Sequence, residues 1–335
     1  MPAFESQKKS ARLLYLAGVR QTAYGTALAA AKFTAGWMQR FDGSGVLDMT
    51  PSKRTDKEMS GKGTEFATNE QTTGWDTKLS WKSDADARLI GYLLGFLFGQ
   101  DTVSGSAAPY THTMAFEETT TQAVATSIYM VDTAAIARTI IDLALQDLTI
   151  TIPARGPLTV EPTFIGTGLW TNGTLASLPA LDQPSYLLGS DCSLSIGPVG
   201  SLVSVVGRHM TTTWKFSTGV VNHTAPGGGL YGIFPRLGLR KFSFEATIAA
   251  MATDDISTLL ENDTLCGATW TVNSGAQAQC IISLPNFHLK ANKLGFDGNM
   301  VVWQISSDET LSLWTAGAPP VSATVVNAQA SYLGT

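Results

Sequence analysis

One stretch, residues 74–99, constrains the fold more than any other because its periodicity changes part way along. Its first part alternates two sets of side chains, and the set predicted to face the core is Trp75, Thr77, Leu79 and Trp81. Such alternation is typical of a half-buried strand. The run 87–98 is too long and too rich in leucine for another strand. Ser83 and Asp84 suit a helix N-cap, and Gly99 suits a helix end. The sequence therefore predicts a strand followed directly by a buried helix.

A weaker copy of this unit occupies residues 240–263. There a second alternating segment precedes a short helix pattern, whose predicted caps are Thr253, Asp254 and Asp255. Further strand patterns follow each unit, at 126–131, 143–152 and 158–165 in the first half and at 269–272, 279–289 and 299–305 in the second. We therefore predict a mainly β fold of the sandwich or barrel type, with an internal duplication in which each half packs a short helix.

The predicted domain boundaries follow from these units and from a stretch containing Gly and Pro between them. They define an N-terminal leader (1–12), a first β domain (13–170), a linker (171–189), a second β domain (190–307) and a C-terminal arm (308–335). Each domain is long enough to bury its own core. The arm contains Leu311, Leu313 and Trp314 and is too apolar for a free tail. We expect it to dock on a neighbouring subunit or on the second domain.

The composition argues against several classes of protein. The formal net charge is −5, and charged residues make up only 15% of the 335 residues. These values argue against a basic nucleic-acid-binding surface and against a disordered chain. The apolar run 87–98 has roughly 12 residues, short of the ~20 that a membrane-spanning helix needs. We therefore expect a folded protein without a membrane partner.

No catalytic or metal-binding pattern stands out in the sequence. The four histidines are scattered, and the three cysteines lack metal-type spacing. Gly227, Gly228 and Gly229 are not followed by the lysine of a phosphate-binding loop. Asp254 and Asp255 form an acidic pair, but they stand where a helix cap is expected. We therefore predict that the chain is not an enzyme and has no catalytic residue, no metal site and no cofactor.

Two regions of the chain resemble a known family. The first combines a basic leader, a short apolar strand at 13–17 and the turn Tyr24-Gly25-Thr26. The second runs from the apolar helix through a Ser/Gly loop at 100–109 and a YTHT strand to LTITIPARGPLTVEPTFIGTG at 148–168. Together these segments are similar to the major tail tube proteins of bacteriophages with long, non-contractile tails. The resemblance covers most of residues 10–170.

The resemblance implies a structural protein of the virion that is assembled in the cytoplasm of the host bacterium. Tail tubes of this family are stacked hexameric rings, and their inner sheets join into one barrel around a channel. With two fused tube-type domains in each chain, three chains would supply the six positions of a pseudo-hexameric ring. The partners implied are other copies of the chain, a tape measure protein in the lumen, a tail terminator and a distal tail protein. Double-stranded DNA would pass through without specific binding.

Two sets of residues are candidates for these roles. The candidates for the lumen face are Asp147, Thr149, Thr151, Thr159, Glu161, Ser243, Glu245 and Thr247. Acidic and neutral polar side chains there would repel phosphate. Asp76, Lys78, Ser80 and Lys82 are a further group that could line the lumen, although the two lysines weaken the expectation of an acidic channel. The polar stretch 43–62 is either an exposed hairpin loop or an arm that contacts the next ring, through Pro51, Lys53, Arg54, Asp56, Lys57 and Glu58.

Two alternatives remain open at this level. A β-sandwich adhesin or carbohydrate-binding module would bind sugar through exposed aromatic residues, and we would expect a monomer or a small oligomer. Another tail component, such as a tail terminator or a distal tail protein, would form a single ring without stacking. The oligomeric state distinguishes the three hypotheses.

Overall fold

The fold of the chain is mainly β and antiparallel, which confirms the mainly β part of the prediction, whereas the internal duplication stays a prediction. The structure is a computed structural model, and it describes residues 13–34, 37–39, 46–58, 66–116, 125–133, 136–172, 185–236, 238–251, 256–312 and 319–333. All structural statements below refer to these residues.

The elements of the first half, in chain order, are β1 (Leu13–Leu16), β2 (Met38–Gln39), β3 (Val46–Glu58), β4 (Phe66–Ser80), β5 (Ser83–Asp84), α1 (Ala87–Phe98), β6 (Thr102–Ser104), β7 (Tyr110–Ala115), β8 (Thr126–Thr133), β9 (Ile136–Ile152), β10 (Thr159–Gly166) and β11 (Trp170–Asn172). Those of the second half are β12 (Cys192–Pro198), β13 (Val203–Ser204), β14 (His209–Ser217), β15 (Val221–His223), β16 (Phe234–Arg236), β17 (Lys241–Ala249), α2 (Ser257–Glu261), β18 (Cys266–Asn273), β19 (Gln279–Asp297), β20 (Met300–Ser312) and β21 (Ser322–Asn327). Short 3-10 turns lie at Ala30–Lys32 and Gly189–Asp191.

Eight strands form the main sheet, in the order β3–β4–β10–β9–β14–β17–β20–β19, and every neighbouring pair is antiparallel. The two halves of the chain meet inside this sheet, because β9 pairs with β14 from Ile152 opposite Thr212 to Asp147 opposite Ser217. The predicted linker 171–189 therefore connects strands that belong to one sheet. The predicted domain boundaries themselves stay a prediction.

A second layer covers the main sheet. Its strands run in the order β12–β18–β19–β21–β7–β6, so the long strand β19 contributes to both layers. Aromatic side chains fill the space between the layers: the Trp214 and Trp270 rings lie 4.4 Å apart and the Phe244 and Phe287 rings 5.4 Å apart, centroid to centroid. The period-2 alternation of each strand directs one set of side chains into this core and the other set outward. The first part of β9 joins β2, β1, β8 and β11 in a smaller arrangement at the side.

The predicted helix α1 is confirmed with the bounds Ala87–Phe98, and nearly all of its residues are buried. Its N-cap is Asp86, whose carboxylate accepts the Leu89 backbone N–H at 2.7 Å. The prediction of Ser83 or Asp84 as the cap is wrong, because these two residues pair with β10 as the short strand β5. Gly99 ends the helix in the left-handed conformation, with a φ of 71°, as its position predicts.

The second predicted helix is shorter. It spans Ser257–Glu261, and its N-cap position is Ile256, whose side chain makes no capping hydrogen bond. The predicted caps Thr253, Asp254 and Asp255 lie outside the described residues. Leu259 and Ile256 are its buried contacts with the core.

The polar stretch 43–62 is not a loop over the part that the structure describes. Residues 46–58 form β3, which pairs with β4 from Val46 opposite Ser80 to Glu58 opposite Phe66. The segment therefore forms a long two-stranded ribbon. Pro51 lies opposite Trp75 in this ladder. A proline is tolerated there because β3 is an edge strand, and a missing N–H on the outer side breaks no bond with β4.

The C-terminal segment docks on its own chain, one of the two outcomes expected for the arm. Strand β21 lies between β7 of the first half and β19 of the second half, with Val325 opposite both His112 and Cys280. Leu313 and Trp314 lie outside the described residues. Leu311 belongs to β20, which extends beyond the predicted strand 299–305.

The turn Tyr24-Gly25-Thr26 packs against β9. Gly25 adopts a φ of 75°, a conformation that glycine adopts without a steric penalty, and its N–H points at the buried carboxylate of Asp142. Gln21, also buried, donates from Nε2 to the same carboxylate at 2.7 Å. The turn is thus fixed to the end of the sheet from which the β3–β4 ribbon extends.

Candidate functional site

The eight residues predicted to face the lumen share one face of the main sheet. Thr149 lies opposite Glu161 on one side and opposite Lys215 on the other, and Lys215 lies opposite Ser243. Residues directly opposite each other in a ladder point to the same side of the sheet. By the same rule, a second row of residues lies on this face and runs from Thr159 through Thr151 and Thr213 to Glu245.

The two remaining candidates belong to the same face. Asp147 lies opposite Ser217, and Thr247 lies opposite Thr211. The structure therefore brings the candidates of both halves onto one continuous surface, which we call the polar face. Its members are all exposed or half-buried, whereas Leu148, Ile150 and Ile152 between them are buried.

The polar face also contains residues that the sequence did not suggest as candidates. On β14 these are Thr211, Thr213, Lys215 and Ser217, and on the neighbouring strands they are Thr163 of β10 and Gln304 of β20. A signal was present in the sequence, since Thr212, Trp214 and Phe216 alternate with polar residues, and if this set faces the core the residues between them point outward. What the sequence did not contain was the pairing of β14 with β9.

Ion pairs neutralise much of the charge on the polar face. Lys82 Nζ lies 2.6 Å from Glu161 Oε1, and Lys215 Nζ lies 2.8 Å from Glu245 Oε1. All four side chains are about half exposed, so each pair contributes little to stability, on the order of 0–1 kcal/mol. Their effect is on the surface potential, because each pair removes an isolated negative charge.

Counted over the described side chains, the polar face is close to neutral. Its carboxylates are Asp48, Asp76, Asp84, Asp147, Glu161, Glu245 and Asp297. Its ammonium groups are Lys78, Lys82, Lys215, Lys241 and Lys293. Seven negative and five positive charges give a net charge of −2. The lysines that weakened the expectation of an acidic channel therefore do offset most of its negative charge.

The main sheet has two open edges in the described structure. Strand β3 pairs only with β4, and the outer part of β19, residues 291–297, pairs only with β20. Such edges expose rows of backbone N–H and C=O groups that another strand can use. No other strand of the described part of the chain pairs with either edge, although Arg138 Nη1 contacts Met49 Sδ of β3 at 3.2 Å.

Both open edges carry apolar residues on the core side and polar residues on the polar face. In β3, Leu47 lies opposite the buried Leu79, whereas Asp48 lies opposite Lys78. In β19, Leu294 lies opposite Trp303 on the core side, and Lys293 lies opposite Gln304 on the polar face. Leu294 and Phe296 are 59% and 77% exposed, which is unusual for large apolar side chains beside a core. The apolar core side and the polar face of the main sheet therefore both extend to each open edge.

Exposed apolar residues also lie at both ends of the strands. At the end where β9 turns into β10, Val206 is 63% and Met251 57% exposed, and backbone hydrogen bonds around Ala249 and Ala250 fix this end to Arg208 and Val301. At the opposite end Leu239 is 85% exposed. Leu230 lies there too, and its carbonyl accepts the Trp75 N–H at 2.8 Å. Isolated exposed apolar residues are ordinary, but here several lie together at the edges and ends of the strands.

The residues predicted to contact the next ring lie on the ribbon of β3 and β4. Pro51, Lys53 and Arg54 occupy its middle, and Lys53 forms an ion pair with Glu70 across the ladder. Asp56, Lys57 and Glu58 continue β3 to its far end, where the structure describes their register but not their side chains. In the described structure this outer part of the ribbon pairs only with itself, and an isolated two-stranded ribbon is marginally stable in water.

Among the residues that the structure describes, no group of three or more His, Cys, Asp or Glu side chains is arranged to hold a metal ion. Within the same residues, no helix has the length and apolar character needed to cross a membrane. A scan against protein-family models and a search of curated proteins found no match to this chain.

Proposed function

We propose that this chain is a self-assembling structural protein, the major tail tube subunit of a bacteriophage with a long, non-contractile tail. The observation that carries the proposal is the pair of open edges on the main sheet, which present matching apolar and polar sides. Open, apolar edges are an aggregation hazard unless a partner covers them, and a second copy of the same chain satisfies both edges at once.

In the proposed ring, β3 of one copy pairs with the outer part of β19 in the next copy. Seven antiparallel steps separate these strands within one chain, so they run in opposite directions. Their junction is therefore antiparallel, like every other pair in the sheet. Leu47 and Met49 would meet Leu294 and Phe296 on the core side, while Asp48 would approach Lys293 on the polar face.

The dimensions of a closed ring suit a DNA channel. Eight strands from each of three copies give 24 strands. With neighbouring strands about 4.8 Å apart and tilted by about 40°, the barrel would be about 48 Å across between backbones. Side chains on both walls narrow this opening, and the remaining width still admits a DNA double helix.

The polar face would line this channel. Because its charges are nearly balanced and partly paired, it offers phosphate neither a basic groove to bind nor a strongly repulsive wall. Threonine and serine supply the rest of the surface with neutral polar groups. DNA and the tape measure protein could then slide past without specific contacts, which is the passive role that we propose for the lumen.

The order of strands supports the proposed internal duplication. The first half supplies β3, β4, β9 and β10, and the second half supplies β14, β17, β19 and β20. If each set is numbered 1 to 4 in chain order, both sets lie in the sheet as 1-2-4-3. In both sets, a helix follows the second strand. Two fused tube-type domains would produce this arrangement, and three chains would then make a pseudo-hexameric ring.

Stacking of rings would use the ends of the strands. The exposed apolar residues at the two ends differ, so a head-to-tail contact repeats without closing and produces a tube. We propose that the ribbon of β3 and β4 contacts the next ring, with Pro51, Lys53, Arg54, Asp56, Lys57 and Glu58 along it. A tail terminator and a distal tail protein would cover the two ends of the finished tube within the virion.

The decisive experiment is negative-stain electron microscopy combined with mass photometry of the purified protein. We expect tubes of even width with a central channel, growing from monomers or trimers. The variant Phe296→Lys places a charge on the apolar side of one open edge, and it should raise the concentration needed for assembly at least about tenfold. The matched control is Val203→Lys, which alters an exposed valine on β13, away from both edges.

Three outcomes would overturn the proposal or part of it. Monodisperse monomers of the wild-type protein at high concentration would rule out the tube and leave the sugar-binding alternative. Single rings that never stack would favour a tail terminator or a distal tail protein. Unchanged assembly of Phe296→Lys would show that the outer part of β19 is not the junction between copies.

A further inference from the structure

A cavity of about 300 Å³ lies on the polar face beside the open edge of β3. Its two carboxylates are Asp48 of β3 and Asp76 of β4, and its one ammonium group is Lys78 of β4. Ile165 of β10 lies opposite Lys78 and adds an apolar part to the lining. Two negative charges and one positive charge give the cavity a net charge of −1. Because β3 is the edge strand, the cavity borders any strand that pairs with it.

Neither carboxylate forms an ion pair with a described side chain of its own chain. Asp48 Oδ1 accepts the Thr50 hydroxyl at 2.6 Å, and Asp76 Oδ1 accepts from Asn222 Nδ2 at 3.2 Å. Among the described residues, no group donates to the second oxygen of either carboxylate. Both carboxylates therefore retain the capacity to bind a cation.

The backbone groups of β3 alternate between those that bond to β4 and those that point away from it. Trp75 of β4 lies opposite Pro51, but its N–H bonds to the carbonyl of Leu230. Pro51 and Trp75 are therefore not a hydrogen-bonded pair, and by alternation Leu47 and Met49 also do not bond to β4. The N–H and C=O groups of Leu47 and Met49 point toward a neighbouring strand.

The outer part of β19 has a matching arrangement. Asp297 and Met300 lie opposite each other and close a two-residue turn, so this pair exchanges hydrogen bonds with β20. By alternation, the backbone groups of Phe296 and Leu294 point outward. Their side chains lie on the core side of the sheet, as do those of the two outward residues of β3. Outward backbone groups and apolar side chains thus coincide on both edges.

One antiparallel register between two copies satisfies both edges. It pairs their outward apolar residues, Leu47 with Phe296 and Met49 with Leu294. A shift by one residue would move the apolar side chains to the polar face. A shift by two residues in one direction would place the carboxylates of Asp48 and Asp297 opposite each other, which is repulsive. The same shift in the other direction would leave Phe296 beyond the end of β3.

This register brings Lys293 of one copy to the cavity of the next copy. Lys293 would lie on the polar face opposite Thr50, in a row that continues across β3 to Asp76. The four-carbon stem of a lysine is long enough to pass Thr50, because neighbouring strands are about 4.8 Å apart. Asp48 would lie beside this row, opposite Gly295.

We propose that Lys293 of one copy enters this cavity of the next copy, pairs with Asp48 and Asp76, and thereby sets the register of the junction. This contact rests on the proposed function, because it requires copies to pair edge to edge. The ammonium group of Lys293 supplies the one positive charge that the cavity lacks. A neighbouring strand would also exclude water from one side of the contact, so its charges attract each other more strongly than those of the exposed ion pairs on the polar face.

Gly295 supports this arrangement. A β-carbon added there would meet Gln304 at 3.6 Å and Val302 at 3.8 Å within its own chain, and both are ordinary contacts. The fold of the single chain therefore leaves room for a side chain at this position, although a glycine inside a strand lowers stability. In the junction, the missing side chain leaves space for the Asp48 carboxylate and the Lys293 stem to meet.

Cysteine cross-linking tests the register. The double variant Thr50→Cys/Lys293→Cys places two thiols opposite each other across the junction, in a pair that is not hydrogen-bonded and whose side chains are close. Within one chain these positions are seven strand spacings apart, about 34 Å along the sheet, so a disulfide between them joins two copies. We expect covalent dimers and trimers after oxidation of the assembled variant. The matched control, Asp48→Cys/Lys293→Cys, should yield at least about tenfold less, because its thiols are diagonal neighbours.

Charge reversal tests the ionic contact. Lys293→Glu should raise the concentration needed for assembly at least about tenfold, and the second change Asp76→Lys should recover most of this loss. The control is Lys215→Ala, which removes a lysine of the polar face on β14, away from both edges. It should leave the concentration needed for assembly unchanged within about twofold.

The outcomes distinguish a failure of this contact from a failure of the proposed function. Wild-type protein that does not assemble would overturn both. If the wild type forms tubes that Phe296→Lys weakens, the contact alone would be overturned by unchanged assembly of Lys293→Glu. More cross-linking in the control pair than in Thr50→Cys/Lys293→Cys would overturn the register. Loss of wild-type assembly in EDTA would assign the cavity to a divalent cation and would also overturn the contact.

Discussion

The carboxylate of Asp142 accepts the backbone N–H of Gly25 through both of its oxygens, at 2.9 Å each. The same buried carboxylate accepts from Gln21 Nε2 at 2.7 Å and from the Thr167 hydroxyl at 3.2 Å. One side chain of β9 therefore organises the whole N-terminal turn. The turn is also one of the segments on which the proposed relation to tail tube proteins rests, so we first consider variants of its anchor.

Replacing Asp142 should destabilise the protein strongly. Asp142→Ala removes the acceptor of the Gly25 N–H and of the buried Thr167 hydroxyl and leaves Gln21 Nε2 with only the Ala23 carbonyl, and alanine is disfavoured at the φ of 58° that this residue adopts. We expect a loss of about 3–5 kcal/mol in the free energy of unfolding, measured by urea denaturation. Asp142→Asn should cost less, because asparagine tolerates this backbone conformation and keeps one acceptor oxygen. The exposed Asp297→Ala is the control, and an equal loss in both alanine variants would contradict the assignment.

Two glycines of α1 provide a matched pair. Gly91→Ala should destabilise the protein by about 1–3 kcal/mol, because the new methyl group overlaps the Tyr332 ring and forces it to move. Gly95→Ala meets its nearest neighbour at 3.6 Å, an ordinary contact, and should be neutral or stabilising by up to about 1 kcal/mol. Urea denaturation of the two variants checks the difference. Similar effects at both positions would mean that Tyr332 does not pack over Gly91.

The buried carboxylate of Asp86, the N-cap of α1, should make the free energy of unfolding depend on pH. Burial raises the pKa of Asp86 above its usual value, despite the hydrogen bond from Leu89 and the charge of Arg88. The folded state therefore binds the Asp86 proton more tightly than the unfolded state does. This contribution to stability is complete at low pH and is lost as the pH rises through the raised pKa.

Asp86→Asn keeps a good cap and removes the buried charge, so it isolates this effect. We expect the variant to be at least as stable as the wild-type protein near neutral pH. The wild type should gain stability relative to the variant as the pH falls through the raised pKa, which urea denaturation at several pH values will show. A difference that does not change with pH would indicate that burial does not perturb Asp86. Asp86→Ala, which lacks a cap, should cost about 1 kcal/mol.

The ion pairs of the polar face should matter little for folding. Lys82→Ala and Lys215→Ala remove partners from pairs that are about half exposed. Each variant should therefore change the free energy of unfolding by less than about 1 kcal/mol. Tube formation, seen by electron microscopy, should persist in both. A large loss of stability in either variant would mean that its pair has a structural role that its exposure does not suggest.

Local patterns in the sequence predict some elements well and others poorly. Helix α1 was predictable because the run 87–98 is apolar on nearly every side and Gly99 stands at its end. Its cap was misplaced by two residues because Ser83 and Asp84 suit a cap as well as Asp86 does, and only the pairing with β10 decides between them. The sequence of the polar stretch 43–62 predicts an exposed hairpin loop or a projecting arm, because charge and proline are typical of loops. Its strand structure depends on pairing with β4 over the whole length.

Sequence patterns do not reveal which distant segments of the chain lie next to each other. Alternation assigned Asp147, Thr149, Thr151 and the others to outward-facing sides of strands, but it cannot place one strand beside another. The adjacency of Thr151 and Thr213, which unites the polar faces of the two halves, depends on the pairing of β9 with β14. The sequence also does not reveal the buried contacts of His112 with Asp101 and the Gln329 carbonyl, or that of Asp101 with the Tyr332 N–H. Gln329 and Tyr332 are far from His112 in the chain and belong to a segment without a regular pattern.

Pro51 limits the length over which a neighbouring strand can pair with β3. Because the ladder between β3 and β4 continues through this position, the Pro51 nitrogen faces outward. It carries no N–H and so cannot donate a hydrogen bond to a neighbouring strand. An incoming strand therefore finds outward donors at Leu47 and Met49 but none at Pro51. The five residues 46–50 before the proline are fewer than the seven residues 291–297 of the opposite open edge, so the proline would be the limit on the proposed junction. A single residue without an N–H thus sets the length of any junction and protects the rest of the ribbon from unregulated, amyloid-like growth.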